Sequence, residues 1–201
     1  MDDIKIIAVV LRGDAAAFRL LVDRHAPLVF SFVRNLIRSH SDAEDLCQET
    51  FVAAYRHLAT FDPRIARFST WLLSIARNQC LTLLRRESVQ PAGVPVVLSP
   101  EPAPDARVSD SELWRALDAA LDDLPLPQRT AFVLSEIEQM PYAEIAALES
   151  VEIGTVKSRV ARARERLRSL LAAFRPEHVP RSRPDLAPAT EPGPREVPHE
   201  Q

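Results

Sequence analysis

Twelve of the chain's 17 prolines fall in two short segments, five of them in residues 87–110 and seven in residues 176–201. Proline lacks an amide hydrogen and its ring clashes with the preceding helical turn, so neither segment suits a continuous helix or a central strand. The two stretches left over, 1–86 and 111–175, hold only Pro27, Pro63, Pro125, Pro127 and Pro141. Both carry apolar residues at spacings of three and four, the period of a helix with one buried face. The expected fold class is therefore all-α: two small helical domains, 1–86 and 111–175, joined by an extended Pro-rich linker, 87–110. The tail 176–201 has almost no large apolar residues and is expected to be disordered.

Composition narrows the chemistry. Only four glycines are present, with no Gly-rich motif to cradle a nucleotide phosphate. The five histidines, at 25, 40, 57, 178 and 199, are scattered and converge with no serine or carboxylate into a catalytic pattern. Cys47 and Cys80 lack the CxxC spacing of a metal site and read as small core residues. The sequence thus predicts a non-enzyme with no cofactor and no metal. No apolar run approaches the roughly 18 residues of a membrane span, and IKIIAVVL near the start follows Asp2 and Asp3 rather than a basic stretch. The expectation is a cytoplasmic chain that does not insert into a membrane.

In the first stretch, Asp14 suits the cap of a helix from about Ala15, and Pro27 suits the first turn of the next helix. Ser41 and Glu44 have capping-box spacing for a helix over 42–58, with Cys47, Phe51, Ala54, Tyr55 and Leu58 on its apolar face. That spacing sets Asp45, Gln48 and Glu49 together on another face. A turn near Pro63 precedes a long helix started by Ser69 or Thr70. In the second stretch four helices are expected, at about 110–123, 127–138, 142–149 and 154–172. The last two, short then long, have helix-turn-helix spacing.

The formal charge of the whole chain is -3, yet six cations crowd into the twelve positions from Lys157 to Arg168. Nine of the ten acids of 111–175 lie in 112–152 instead. Local field is what an approaching polyanion meets, so the final helix is a candidate duplex-binding element. Val156, Val160, Ala163, Leu167 and Leu170 form its apolar stripe and leave Lys157, Ser158, Arg159, Ala161, Arg162 and Arg166 off it. A solvated basic face on an ordinary surface helix has the same pattern, and the short helix before it favours DNA.

Three segments, in this order, resemble the extracytoplasmic-function (ECF) group of bacterial sigma factors of the sigma-70 family: DAEDLCQETFVAAYRHL (42–58), FSTWLLSIARNQCLTLLRR (68–86) and LPLPQRTAFVLSEIEQMPYAEIAALESVEIGTVKSRVARARERL (124–167). The resemblance covers about residues 4–174. It implies a transcription initiation factor in which 1–86 is sigma domain 2 and 111–175 is sigma domain 4. By resemblance Asp42, Asp45, Gln48 and Glu49 dock on a basic helix of core RNA polymerase. Arg64, Arg67, Trp71, Arg77, Asn78, Arg85 and Arg86 are implied at the minus-10 element. Asparagine offers a paired donor and acceptor to a base edge, arginine grips phosphate, and an unpaired base stacks on flat side chains. Trp71 also lies on the apolar stripe of its helix, so a core role competes. At the minus-35 duplex the resemblance implies Lys157, Ser158 and Arg162 on bases, with Thr155 and Arg159 on phosphate. The acidic linker would run through the polymerase cleft, and an anti-sigma factor, often membrane-attached in this group, is the expected regulator.

Several positions depart from the family pattern. Ser150 stands where the turn of the helix-turn-helix often has glycine, Glu152 and Ile153 stand where a Ser or Asp cap is common, and Ala161 is smaller than usual near the bases. A different class of function, a freestanding helix-turn-helix regulator that binds duplex DNA without polymerase, shares the basic final helix but not the 42–86 segments.

Overall fold

The computed structural model describes residues 2–89 and 108–172, except the side chains of 87–89 and 108–113. Most of the linker and the tail after Ala172 therefore lie outside the described residues. Eight α-helices are seen there: α1 (Asp3–Leu11), α2 (Phe18–Arg34), α3 (His40–His57), α4 (Phe68–Val89), α5 (Val108–Asp122), α6 (Leu126–Phe132), α7 (Tyr142–Glu149) and α8 (Ile153–Leu170). Helices α4 and α5 each reach a few residues into 87–110.

The first half is a three-helix core, α2 with α3 and α4, onto which α1 packs. Phe32, Leu21, Leu36, Leu58 and Leu72 are fully or almost fully buried there. Cys80 is buried and Cys47 half-buried; burial raises the Cys80 thiol to about 12 and the Cys47 thiol to about 11, which favours the protonated thiol of both near neutral pH. Pro27 corrects the sequence expectation: it sits inside a continuous α2 rather than opening a new helix. Packing explains this, because Leu21 and His25 before it and Val29, Phe32 and Val33 after it are buried on one face. Burial of both segments offsets the lost hydrogen bond.

The start of α3 is also earlier than the sequence indicates. Ser39, not Ser41, is the cap, its hydroxyl accepting from the Asp42 amide at 3.2 Å. Asp14 does cap as expected, through the amides of Ala16 and Ala17, but the segment it starts is a 3₁₀ turn (Ala15–Ala17) that leads into α2. Helix α6 loosens into a π-turn over Val133–Ile137, which keeps Val133 and Leu134 buried.

In the second half α8 packs on α5, α6 and α7. Val156, Val160, Ala163 and Leu167 are buried as the stripe requires, whereas Leu170 is exposed. Ser150 between α7 and α8 adopts the left-handed conformation, φ 54° and ψ 46°, that a glycine would take without strain. Its amide and that of Val151 donate to the carbonyls of Ala147 and Ala146, closing α7. Ser150→Gly is accordingly expected to stabilise the chain by up to about 1 kcal/mol, read as a rise in Tm. A fall in Tm would mean that the serine side chain holds the turn. Glu152 provides no side-chain cap for α8.

The halves do not sit apart. One buried cluster runs from Ile6 and Phe32 through Leu73 and Ala76 to Leu134, Ile145 and Val156. Polar groups cross the same seam. Arg129 donates across it to the Leu36 carbonyl at 3.3 Å and, within its own half, to Asp122 at 2.8 Å; Arg38 pairs across it with Asp122, and Ser31 donates across it to Glu138 at 2.7 Å. Burial raises the Glu138 carboxyl above its ordinary range, opposed by the Ser31 bond. A carboxyl with a raised folded pKa adds stability below its unfolded pKa and loses it as pH rises through the folded value. Glu138→Gln is therefore expected to match the parent Tm near pH 4 and to exceed it near pH 7. Equal Tm at both pH values would show that the seam solvates the carboxylate.

Candidate nucleic-acid and polymerase interfaces

Helix α3 separates its faces cleanly. Ala43, Leu46, Thr50, Phe51 and Ala54 turn inward, and the Thr50 hydroxyl reaches Gln79 on α4 at 2.5 Å. Asp45, Gln48 and Glu49 lie together on the outer face with Asp42 beside them. Spacing places Tyr55 on the apolar face, but it is 45% exposed and its ring meets Phe18 edge-on. A groove of about 550 Å³ runs between α3 and α4, with Asp42, Asp45 and Glu49 on one wall and Asn78 and Arg86 on the other. Its α3 wall is acidic, while Arg86 and the apolar side chains of Leu46, Ile75 and Leu83 complete the lining.

The residues expected at an opened strand are dispersed. Asn78 and Arg86 face this groove, while Arg67 and Arg77 lie toward the seam with the second half. Arg64 folds back onto Asp62 at 2.6 Å, and that pairing lowers the Asp62 carboxyl below its ordinary range. Ile65 beside it is 83% exposed, an apolar tip on the turn between α3 and α4. Trp71 is half-buried among Phe61 and Phe68, with ring centroids 5.5 and 5.7 Å away. Arg85 is exposed on the last described turns of α4.

On α8 the expected cations split in two. Lys157, Ser158 and Arg162 are exposed, off the buried stripe. Thr155 is half-buried, and Arg159 pairs with Glu149 instead of facing solvent. Arg164 and Arg166 are engaged by Glu136 and Asp123 at 2.8 and 2.6 Å. Glu144 and Glu149, which hold Arg67, Thr70 and Arg77 across the seam, escape sequence reasoning; nothing in local spacing reveals a partner some seventy positions away. Residues 21–89 match Sigma-70 region 2 and residues 114–167 match Sigma-70, region 4. Over 177 residues the chain is 32% identical to the ECF RNA polymerase sigma-E factor of Haemophilus influenzae, covering 82% of this chain and 93% of that protein.

The chain belongs to the ECF sigma factors.

Among other relatives, the ECF RNA polymerase sigma factor SigE of Mycolicibacterium smegmatis is 39% identical over 168 residues, 80% of this sigma factor and 65% of that protein. The fold resembles CnrH in its complex with the cytosolic domain of CnrY, with a TM-score of 0.65 and 30% identity over 85% of this chain and 97% of that one. It also resembles the sigma factor RpoE of Bartonella quintana in complex with the anti-sigma factor NepR, with a TM-score of 0.61 and 29% identity over 79% and 98% of the two chains. Among the described residues of this sigma factor no helix is long and apolar enough to cross a membrane.

Proposed function

We propose that this sigma factor joins core RNA polymerase through Asp42, Asp45, Gln48 and Glu49 of α3. It then captures the opened minus-10 strand with Arg64, Arg67, Trp71, Arg77, Asn78, Arg85 and Arg86, and reads the minus-35 duplex with Thr155, Lys157, Ser158, Arg159 and Arg162. The carrying observation is the pair of opposite surfaces: an exposed acidic face on the region 2 half and an exposed cationic face on the region 4 half. One suits a basic protein helix and the other a polyanion, and both are needed by a factor that bridges enzyme and promoter. Residues 1–86 act as domain 2, 87–110 as the connecting linker and 111–175 as domain 4, with 176–201 as a tail. The factor works in the cytoplasm and is non-catalytic: binding energy from captured bases offsets the cost of unstacking them.

An anti-sigma factor is the proposed regulator. The similar Bartonella quintana RpoE was captured with the anti-sigma factor NepR, and the acidic α3 face here is a surface such a protein could cover. Membrane attachment of that partner belongs to the same proposal.

Run-off transcription tests the whole reading. Purified chain is added to sigma-free core polymerase on fragmented genomic DNA, and transcript starts are mapped by sequencing. Discrete starts that share two upstream elements are expected. Absence of starts, together with tight duplex binding in the absence of polymerase, would instead make the chain a freestanding helix-turn-helix regulator.

A further inference from the structure

The acids concentrated in 112–152 are not simply a solvated counterweight to α8. Two of them reach across the seam. Glu144 of α7 accepts from Arg67 at 2.6 Å with one oxygen and from the Thr70 hydroxyl at 2.7 Å with the other. Glu149, at the end of the same helix, accepts from Arg77 of α4 at 3.4 Å and from Arg159 of α8. Its side chain is only 1% exposed. One buried carboxylate thus lies between a guanidinium of the helix assigned to the minus-10 strand and a guanidinium of the helix assigned to the minus-35 duplex. A carboxylate offers arginine a pair of anionic acceptor oxygens, as the two non-bridging oxygens of a tetrahedral backbone phosphate do.

We propose that Glu144 and Glu149 form an internal latch, in which region 4 carboxylates occupy Arg67 and Arg77 in the free chain and close its minus-10 strand-binding surface until the two halves separate. This rests on the minus-10 assignment proposed above. The latch is selective. Lys157, Ser158 and Arg162 stay exposed with the halves closed, so duplex reading by α8 remains available while strand capture is withheld. The latch's outer pair is the weak part of a seam that also holds the shared apolar cluster, Arg129–Leu36, Arg38–Asp122 and Ser31–Glu138, so opening exposes apolar surface as well. The Arg67–Glu144 pair is partly exposed, at 64% and 31%, and exposed pairs are weak and screened by salt. On opening, Glu149 keeps Arg159 of its own half, so its charge is never left alone. A ligand that binds only the open state loses apparent affinity in proportion to the closed fraction.

The test uses the full chain, a fluorescent single-stranded oligonucleotide carrying the minus-10 sequence found by run-off mapping, and small-angle scattering of the free protein. Glu144→Gln with Glu149→Gln is expected to raise strand affinity by roughly three- to tenfold and to increase the radius of gyration. Glu165→Gln, which removes a charge of the same sign from an exposed position on α8, serves as the control and is expected to change neither. If loss of the buried Glu149 prevents folding, Glu144→Gln alone carries the same two expected signs. Unchanged affinity or unchanged radius in the latch variants overturns the latch, as does an equal gain in Glu165→Gln. A holoenzyme that starts transcription while the variants behave like the parent refutes the latch alone. An oligonucleotide taken from mapped starts that neither the parent nor the variants bind refutes the minus-10 assignment as well.

Discussion

Asp45→Lys combined with Glu49→Lys is expected to weaken binding to core RNA polymerase by roughly 30-fold to several thousandfold, the equivalent of about 2–5 kcal/mol for charges mispaired at an interface. The fold should survive. Both positions are exposed on the outer face of α3, opposite the Ala43, Leu46, Phe51 and Ala54 side that packs inward. They stand four residues apart, so the exchange replaces one like-charged pair by another and leaves the repulsion within the helix nearly as it was. Competition binding of labelled chain to sigma-free core, alongside circular dichroism and Tm, measures the effect. Parent-like affinity in a folded variant would remove α3 from the docking surface. Loss of binding with parent-like Tm would leave polymerase docking as the reason for the acidic α3 face.

Where the sequence is legible, a single helix carries the whole signal. The stripe Val156, Val160, Ala163 and Leu167 is buried, and Lys157, Ser158 and Arg162 are exposed, because a 3.6-residue period determines both at once. Misreadings arise where two local signals compete. Ser39 and Ser41 both have the chemistry of a cap, and their separation by two residues is within the fraying of any helix start. Pro27 suits a helix opening because first-turn prolines are common, yet burial on both sides of it holds α2 in one piece. The seam is not legible at all. Ser31 to Glu138 spans 107 positions and Arg67 to Glu144 spans 77, and no periodicity within one helix encodes the partner of another. The seam also changes what the candidate residues are in the free chain. Spacing treats Arg159 and Arg162 alike as cations off the stripe, but of the two only Arg162 faces open solvent.

That difference carries the second large expected effect. Arg162→Ala should lower affinity for a cognate minus-35 duplex by about 1–3 kcal/mol, roughly 5- to 150-fold, with a much smaller loss on scrambled duplex, if its guanidinium donates to a base edge. Arg159→Ala should behave differently. Its guanidinium already neutralises Glu149, so removing it leaves a carboxylate that is 1% exposed with only Arg77, at 3.4 Å, as a partner. The penalty then falls on stability as well as on binding, and Tm should drop along with affinity on every sequence. Titrations at two salt concentrations separate the cases further. Deleting a cation that neutralises a phosphate makes the log–log salt slope shallower by about 0.9, whereas deleting a group that reads a base edge leaves the slope close to that of the parent. Equal losses for Arg162→Ala on cognate and scrambled DNA, with a shallower slope, would place Arg162 on the DNA backbone and leave Lys157 and Ser158 to carry sequence reading on α8.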